Sequence, residues 1–162
     1  MTIKRHFYRK PNVDQQAWPL DPTFAQVINA ESFVYYDTSA KYIKPVDNDA
    51  HAQYMVGFAM DQSPITNYGT GFDQGGGSVN PNTDNLGMVS RYGQASVFVT
   101  AGESYTAGQA LYIGADAQTV TNVAGTYQIG YVSGEQADIT TAVAGAKVLV
   151  DYRAKYPSLP IN

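Results

Sequence analysis

The chain has 162 residues, contains no cysteine and carries a formal net charge of −4 at pH 7. Its length is that of one domain with a core of its own, and a hydrophobic content of 44% excludes disorder along the whole chain. The lack of cysteine excludes disulfides, thiolate chemistry and cysteine-ligated zinc. No apolar stretch reaches the roughly 18 residues of a membrane span, so no membrane partner is expected.

The first 29 residues are predicted to form an extended N-terminal arm. Pro11, Pro19 and Pro22 interrupt any long helix, and at most one helical turn is expected, with Asp21 as its cap. The first ten residues hold four basic groups and no acid, whereas the other 152 hold six basic and fourteen acidic groups, a net −8. A basic arm on an acidic body indicates contact with an acidic surface, although a solvated terminus is the simpler interpretation.

The candidate partner-binding residues all lie in this arm and are either cationic or aromatic: Lys4, Arg5, Phe7, Tyr8, Arg9, Lys10, Trp18 and Phe24. Tryptophan is enriched at binding hot spots. An aromatic side chain in an irregular segment more often packs on its own core, so both interpretations of Trp18 stay open.

Three strands are predicted next, at residues 32–36, 42–46 and 53–60, and Pro45 indicates that the second of them lies at a sheet edge. Gly57 in the third strand, like Gly130 further on, indicates a bulge or a close approach of two backbones. The turn that contains Asp47 and Asp49 lacks the glycine and glutamate positions of a calcium loop. A solvated turn is the commoner outcome there, with a casual cation site as the alternative.

Residues 61–87 are predicted to form a long glycine-rich loop, whose glycines fit neither the G-x-G-x-x-G spacing nor the Walker A spacing of phosphate-binding loops. We expect it to be exposed, and either mobile or ordered by a neighbouring subunit. Five further strands are predicted at 97–100, 110–113, 119–121, 127–132 and 147–152, separated by glycine turns. Their alternation places Tyr127, Ile129 and Tyr131 on one face of a strand, and Val148, Val150 and Tyr152 on one face of another.

Short, evenly spaced strands rich in tyrosine predict an all-β fold, a small β-barrel or β-sandwich. The expected organisation is an arm at 1–29, a β-domain at 30–153 that includes the loop 61–87, and a C-terminal tail at 154–162. Ten residues are predicted to build the core: Val34, Val56, Phe58, Val97, Val99, Leu111, Ile113, Ile129, Val148 and Val150.

No residue set in the sequence is typical of catalysis. The two histidines, His6 and His51, lack metal-ligand spacing and a nearby acid–serine pair, and the acids form no paired motif. No enzymatic activity, metal site or cofactor is therefore expected.

Several segments resemble the small capsid decoration, or cement, proteins of tailed bacteriophages. They are AESFV at 30–34, VGFA at 56–59, VFVTAG at 97–102, YTAGQALYI at 105–113, QIGYV at 128–132 and AKVLV at 146–150. The resemblance spans roughly residues 30–152 and implies a β-rich knob, often a homotrimer, on the outer surface of the virion capsid. Such a protein is made in the host cytoplasm, binds the major capsid protein and copies of itself, and stabilises contacts between capsid subunits. Neither nucleic acid nor a cofactor is implied.

A carbohydrate- or receptor-binding β-module of a virion is the alternative. It requires two or three aromatic side chains presented on one rigid face, where they stack on sugar rings.

Overall fold

The computed structural model describes residues 15–23, 25–59 and 86–156, and nearly all of its regular structure is β. The elements are β1 (Gln15–Pro19), β2 (Ser32–Asp37), β3 (Tyr42–Pro45), α1 (Asp49–Ala52), β4 (Met55–Ala59), β5 (Leu86–Ser90), β6 (Tyr92–Val99), β7 (Ala110–Ile113), β8 (Thr119–Thr121), β9 (Gly130–Val132) and β10 (Lys147–Arg153). The all-β prediction is confirmed.

The first five strands form an antiparallel sheet in the order β1-β5-β4-β2-β3. Its two edge strands, β1 and β3, end at Pro19 and Pro45, which have no backbone N–H to offer to a further strand. The prediction of an edge at Pro45 is confirmed. The two edges also approach each other, so the sheet curls around its inner face.

The last five strands form a closed barrel in the order β10-β6-β8-β7-β9. All of its pairings are antiparallel except that of β6 with β8. Closure leaves no free strand edge in this half of the molecule.

Two hydrophobic cores lie on opposite faces of the sheet. Because successive side chains of a strand point to opposite faces, the neighbours Phe33 and Val34 enter different cores. Phe33 packs edge-on against Phe58, with ring centroids 5.0 Å apart, and against Tyr152 of the barrel at 5.9 Å. The barrel and the sheet therefore share one core, and the curled sheet encloses a second. All ten predicted core residues are buried; eight belong to the shared core and the other two to the second.

The two strand glycines lie where backbones meet. A side chain at Gly57 (φ +145°) would place its Cβ 2.0 Å from the carbonyl oxygen of Ser90, and the β2–β4 register shifts beside it. A Cβ at Gly130 would lie 2.4 Å from the carbonyl oxygen of Asp151. The predicted bulge and close approaches are confirmed.

Three local expectations differ from the structure. Part of the predicted arm forms β1, which pairs with β5 along its whole length. Asp21 caps no helical turn among the described residues 22–23 and 25–28; its carboxylate instead accepts the backbone N–H groups of Thr23 and Gln26 at 2.9 Å each, which fixes a turn. Tyr131 does not share a face with Ile129, because the strand begins only at Gly130 and alternation within it turns Tyr131 outward.

The predicted loop at 61–87 lies outside the described residues except for its end, which begins β5. Of the predicted tail, only residues 154–156 are described.

Candidate functional site

Of the candidate partner-binding residues, the structure describes only Trp18. Lys4, Arg5, Phe7, Tyr8, Arg9, Lys10 and Phe24 lie outside the described residues, so their roles stay predictions. Trp18 lies in β1, its side chain is 8% exposed, and it belongs to the second core. In the free chain it packs on its own fold.

Trp18 is part of an aromatic cluster formed with Tyr36, Tyr54 and Tyr156. The ring centroids of Trp18 and Tyr36 are 5.2 Å apart, Tyr36 and Tyr156 stack at 5.8 Å with an interplanar angle of 5°, and Tyr54 meets Tyr156 edge-on. Of these pairs only Tyr36 and Tyr156 stack face to face. Trp18 is buried in the cluster, whereas Tyr54 is 37% exposed.

The β1–β5 edge carries polar atoms that the fold does not satisfy. Within the described residues, four buried side-chain atoms have no hydrogen-bond partner: Gln16 Oε1, Trp18 Nε1, and Nε and Nη2 of Arg91. All lie on β1 or directly after β5. Buried polar atoms are ordinarily paired, so this edge is the part of the described fold whose hydrogen bonding is least complete.

A network around Glu103 holds the loops at one end of the barrel. The Glu103 carboxylate accepts the hydroxyl of Tyr105 at 2.6 Å, the hydroxyl of Thr121 at 2.7 Å and the backbone N–H of Asn122 at 2.9 Å. Burial raises the pKa of Glu103, but these hydrogen bonds outweigh it and the net pKa is lowered. Burial, with the carboxylate as the second cause, raises the pKa of Tyr105.

Two valines project from the loops that this network fastens. Val123 is 65% exposed and Val143 is 70% exposed. The loop of Val143 is attached to the same turn, because Ala142 donates its N–H to the carbonyl of Glu103 at 2.8 Å. Large apolar side chains held in water by ordered loops are candidate contact points. The sequence signal for them was the repeat of Val-Ala-Gly at 123–125 and 143–145.

The turn at Asp47 and Asp49 uses its carboxylates internally. Asp49 accepts the backbone N–H groups of Thr126 at 2.8 Å and Tyr127 at 3.0 Å, which joins α1 to the barrel and lowers the pKa of Asp49. Asp47 pairs with Nδ1 of His51 at 2.5 Å. No group of three or more potential metal ligands occurs in the described part of the chain.

A pocket of about 400 Å³ opens where β9 and β10 separate. Ile129, which directly precedes β9, donates its N–H to the carbonyl of Leu111 in β7 at 2.8 Å. Lys155, which follows β10, donates its N–H to the carbonyl of Met55 in β4 at 2.8 Å. The two chain segments thus diverge toward different sheets. The polar lining comes from Gln128, Tyr131, Asp151, Arg153 and Lys155. Sequence analysis missed this site, because a pocket at a barrel–sheet junction has no local motif.

Comparisons with known proteins add no relative: no family model, curated protein or solved structure matches the chain. Among the described residues, no helix has both the length and the apolar character needed to span a membrane.

Proposed function

We propose that this chain is a structural virion protein that binds the outer surface of a phage capsid and stabilises contacts between major capsid protein subunits. The proposal rests on the sequence resemblance to capsid decoration proteins and on how the basic N-terminal segment is attached to the fold. The proposed partners are the major capsid protein and further copies of the chain, with which it forms a homotrimer.

The attachment of β1 is the observation that carries the proposal. β1 pairs with β5 over five residues, from Gln15 opposite Ser90 to Pro19 opposite Leu86, and Trp18 is buried among Tyr36 and Tyr156. Residues 1–14, which hold Lys4, Arg5, Arg9 and Lys10, therefore continue directly into a strand of the sheet. Anything that binds them is tied to the whole folded body.

This arrangement suits a staple between capsid subunits. A protein that binds assembled subunits and not separated ones stabilises the assembly by mass action. Repeated weak contacts add through effective concentration. Residues 1–14 supply one contact and the exposed Val123 and Val143 supply another, and neither contact requires a residue of the two cores to leave its place.

The role of Trp18 changes within this proposal. Because its side chain is buried in the free chain, it holds the base of the arm and does not itself reach a partner. The contacts with the capsid then fall to Phe7, Tyr8 and the basic residues of 1–14, with the charges mainly steering association.

Co-sedimentation of the purified chain with undecorated heads, built from the cognate major capsid protein, tests the proposal. We expect saturable binding and a higher temperature of head disruption in the decorated sample. A chain that stays in the supernatant at all concentrations contradicts the proposal. Specific binding on a glycan array, without head binding, supports the alternative of a carbohydrate-binding module.

A further inference from the structure

We infer that the pocket between β9 and β10 is a binding site for a carboxylated sugar, such as a uronic acid residue. The inference is independent of the proposed capsid role, since it rests only on the lining of this pocket. Its volume of about 400 Å³ lies within the roughly 300–1,000 Å³ of small-ligand sites.

The pocket concentrates positive charge on an otherwise acidic surface. The described residues hold six lysines and arginines against ten acids, yet Arg153 and Lys155 both line this one pocket. Both are exposed. Among the described residues, the lysines that form ion pairs are Lys44 and Lys147, so neither pocket cation has a carboxylate partner there. Two cations at one opening that pair with no described carboxylate are suited to an anionic group.

A single acid in the lining argues for a ligand with hydroxyl groups as well as a negative charge. Asp151 lies directly opposite Tyr131 in the β9–β10 ladder, so the two side chains share a face. Arg153 and Lys155 follow Asp151 at alternate positions. Asp151 repels a ligand whose only polar group is a carboxylate. A sugar acid, in contrast, donates hydrogen bonds from its hydroxyl groups to Asp151 and places its carboxylate near the two cations.

An exposed aromatic ring and an amide complete the set. Tyr131 is 50% exposed, and it lines the pocket. An aromatic face is an apolar surface on which the C–H side of a sugar ring can lie. Gln128, half-buried at the same wall, supplies both a donor and an acceptor.

The rim of the pocket is rigidly placed. The absence of a side chain at Gly130, whose Cβ would lie 2.4 Å from the Asp151 carbonyl oxygen, allows β9 and β10 to pack closely where both line the pocket. Lys155 is held by its backbone bond to Met55. The polar groups are thus set by strands of the fold, as a preformed site requires.

The test is a nuclear magnetic resonance titration of the full chain with methyl β-D-glucuronide and, in parallel, with methyl β-D-glucoside. The two probes differ only at C6, which is a carboxylate in the glucuronide and a hydroxymethyl group in the glucoside. We expect saturable shifts of the Tyr131, Arg153 and Lys155 amides with the glucuronide, at an affinity about tenfold above that of the glucoside, as one charge-assisted hydrogen bond provides. Added salt is expected to reduce that preference.

Three variants test which side chains produce the preference for the glucuronide. The double variant Arg153→Gln/Lys155→Gln is expected to abolish the preference for the glucuronide, and Tyr131→Ala to weaken both probes. The matched control is Lys41→Gln, which removes one exposed charge from the turn between β2 and β3 and is expected to change nothing. All three substituted side chains of the pocket are exposed, so the variants are expected to fold.

Three results would overturn the inference. The first is equal affinity for the two probes. The second is the absence of saturable shifts up to the solubility limit of the glucuronide. The third is binding of an acetylated diglutamate peptide through Arg153 and Lys155 as tight as that of the glucuronide, which would identify the pocket as a receptor for acidic peptides.

Discussion

The barrel and the five-stranded sheet solve the problem of strand edges differently. The barrel pairs every strand on both sides and holds its loops through the half-buried carboxylate of Glu103. The sheet has two free edges, and the strand at each edge ends in a proline. Buried polar atoms on β1 and directly after β5 have no hydrogen-bond partner among the described residues. The barrel has no open strand edge, whereas the sheet has one where the N-terminal segment joins it. The barrel is therefore the part of the fold with every strand edge paired, and the sheet is the part to which the N-terminal segment is attached through β1.

The shared core is where the two regions depend on each other, and Phe33→Ala is expected to have the largest effect. It removes a fully buried ring that contacts both Phe58 and Tyr152, at a cost of about 3–5 kcal/mol. Leu111→Ala, which truncates a residue of β7 in the barrel, is the control, at about 2–5 kcal/mol.

Denaturant unfolding followed by both fluorescence and circular dichroism measures these costs. We expect one shared transition for each variant, because the core is continuous. Two separate transitions, or a loss below about 0.5 kcal/mol for Leu111→Ala, would mean that the two regions are stabilised independently or that the position is not core.

Gly57→Ala tests the close approach inside the sheet. The new Cβ would lie 2.0 Å from the backbone oxygen of Ser90, and φ is +145°, so strain and overpacking are expected to cost at least about 2 kcal/mol. Gly134→Ala is the matched control, because no atom lies within 4 Å of the position of its Cβ. Equal melting temperatures for the two variants would contradict the β4–β5 packing.

The sequence predicted the local parts of this fold and missed those that depend on distant pairing. Residues 110–113 and 119–121 were predicted with the bounds of β7 and β8, because glycine turns flank each run. β1 was missed, since its sequence ends in proline and its partner, β5, lies about 70 residues away along the chain. The division into two cores was also missed: both faces of β2 are buried, and alternation indicates only one.

The candidate sites were harder to predict than the fold. Trp18 was correctly singled out, but composition alone could not decide between burial and exposure. Tyr131, Arg153 and Lys155 come together only because β9 and β10 diverge toward different sheets.

Glu103→Gln tests how the barrel loops are fixed. The amide cannot accept all three donors that meet the carboxylate, so we expect a loss of about 1.5–3 kcal/mol. Hydrogen exchange of the Asn122 and Val123 amides should quicken while that of β2 stays unchanged. The control is Tyr105→Phe, which removes one of the three donors and should cost less. Unchanged exchange at Asn122 would show that the loop is held by other contacts.

The ion pair of Asp37 with Lys44 is expected to make the smallest contribution to the free energy of unfolding, and this contribution depends on pH. The hydrogen bond from Lys44, at 2.7 Å, lowers the pKa of Asp37 to about 2 from 3.8. Because the folded-state pKa is the lower one, the stabilisation is present above about pH 4 and is lost as the pH falls toward 2. The difference in unfolding free energy between the chain and Asp37→Asn should therefore shrink over that range. A difference that stays constant down to pH 2 would contradict the ion pair.

Binding of one truncated chain to undecorated heads tests the central claim, that the sheet carries a partner-binding arm, most directly. Deletion of residues 1–29 is unsuitable, because it removes β1 and the buried Leu20 and Ile28. Deletion of residues 1–14 leaves β1 in place and removes Lys4, Arg5, Arg9 and Lys10. We predict that the chain without residues 1–14 melts like the full chain but no longer co-sediments with heads, whereas Lys41→Gln binds normally. Unchanged head binding by that truncated chain would contradict the account and leave residues 1–14 as a solvated terminus.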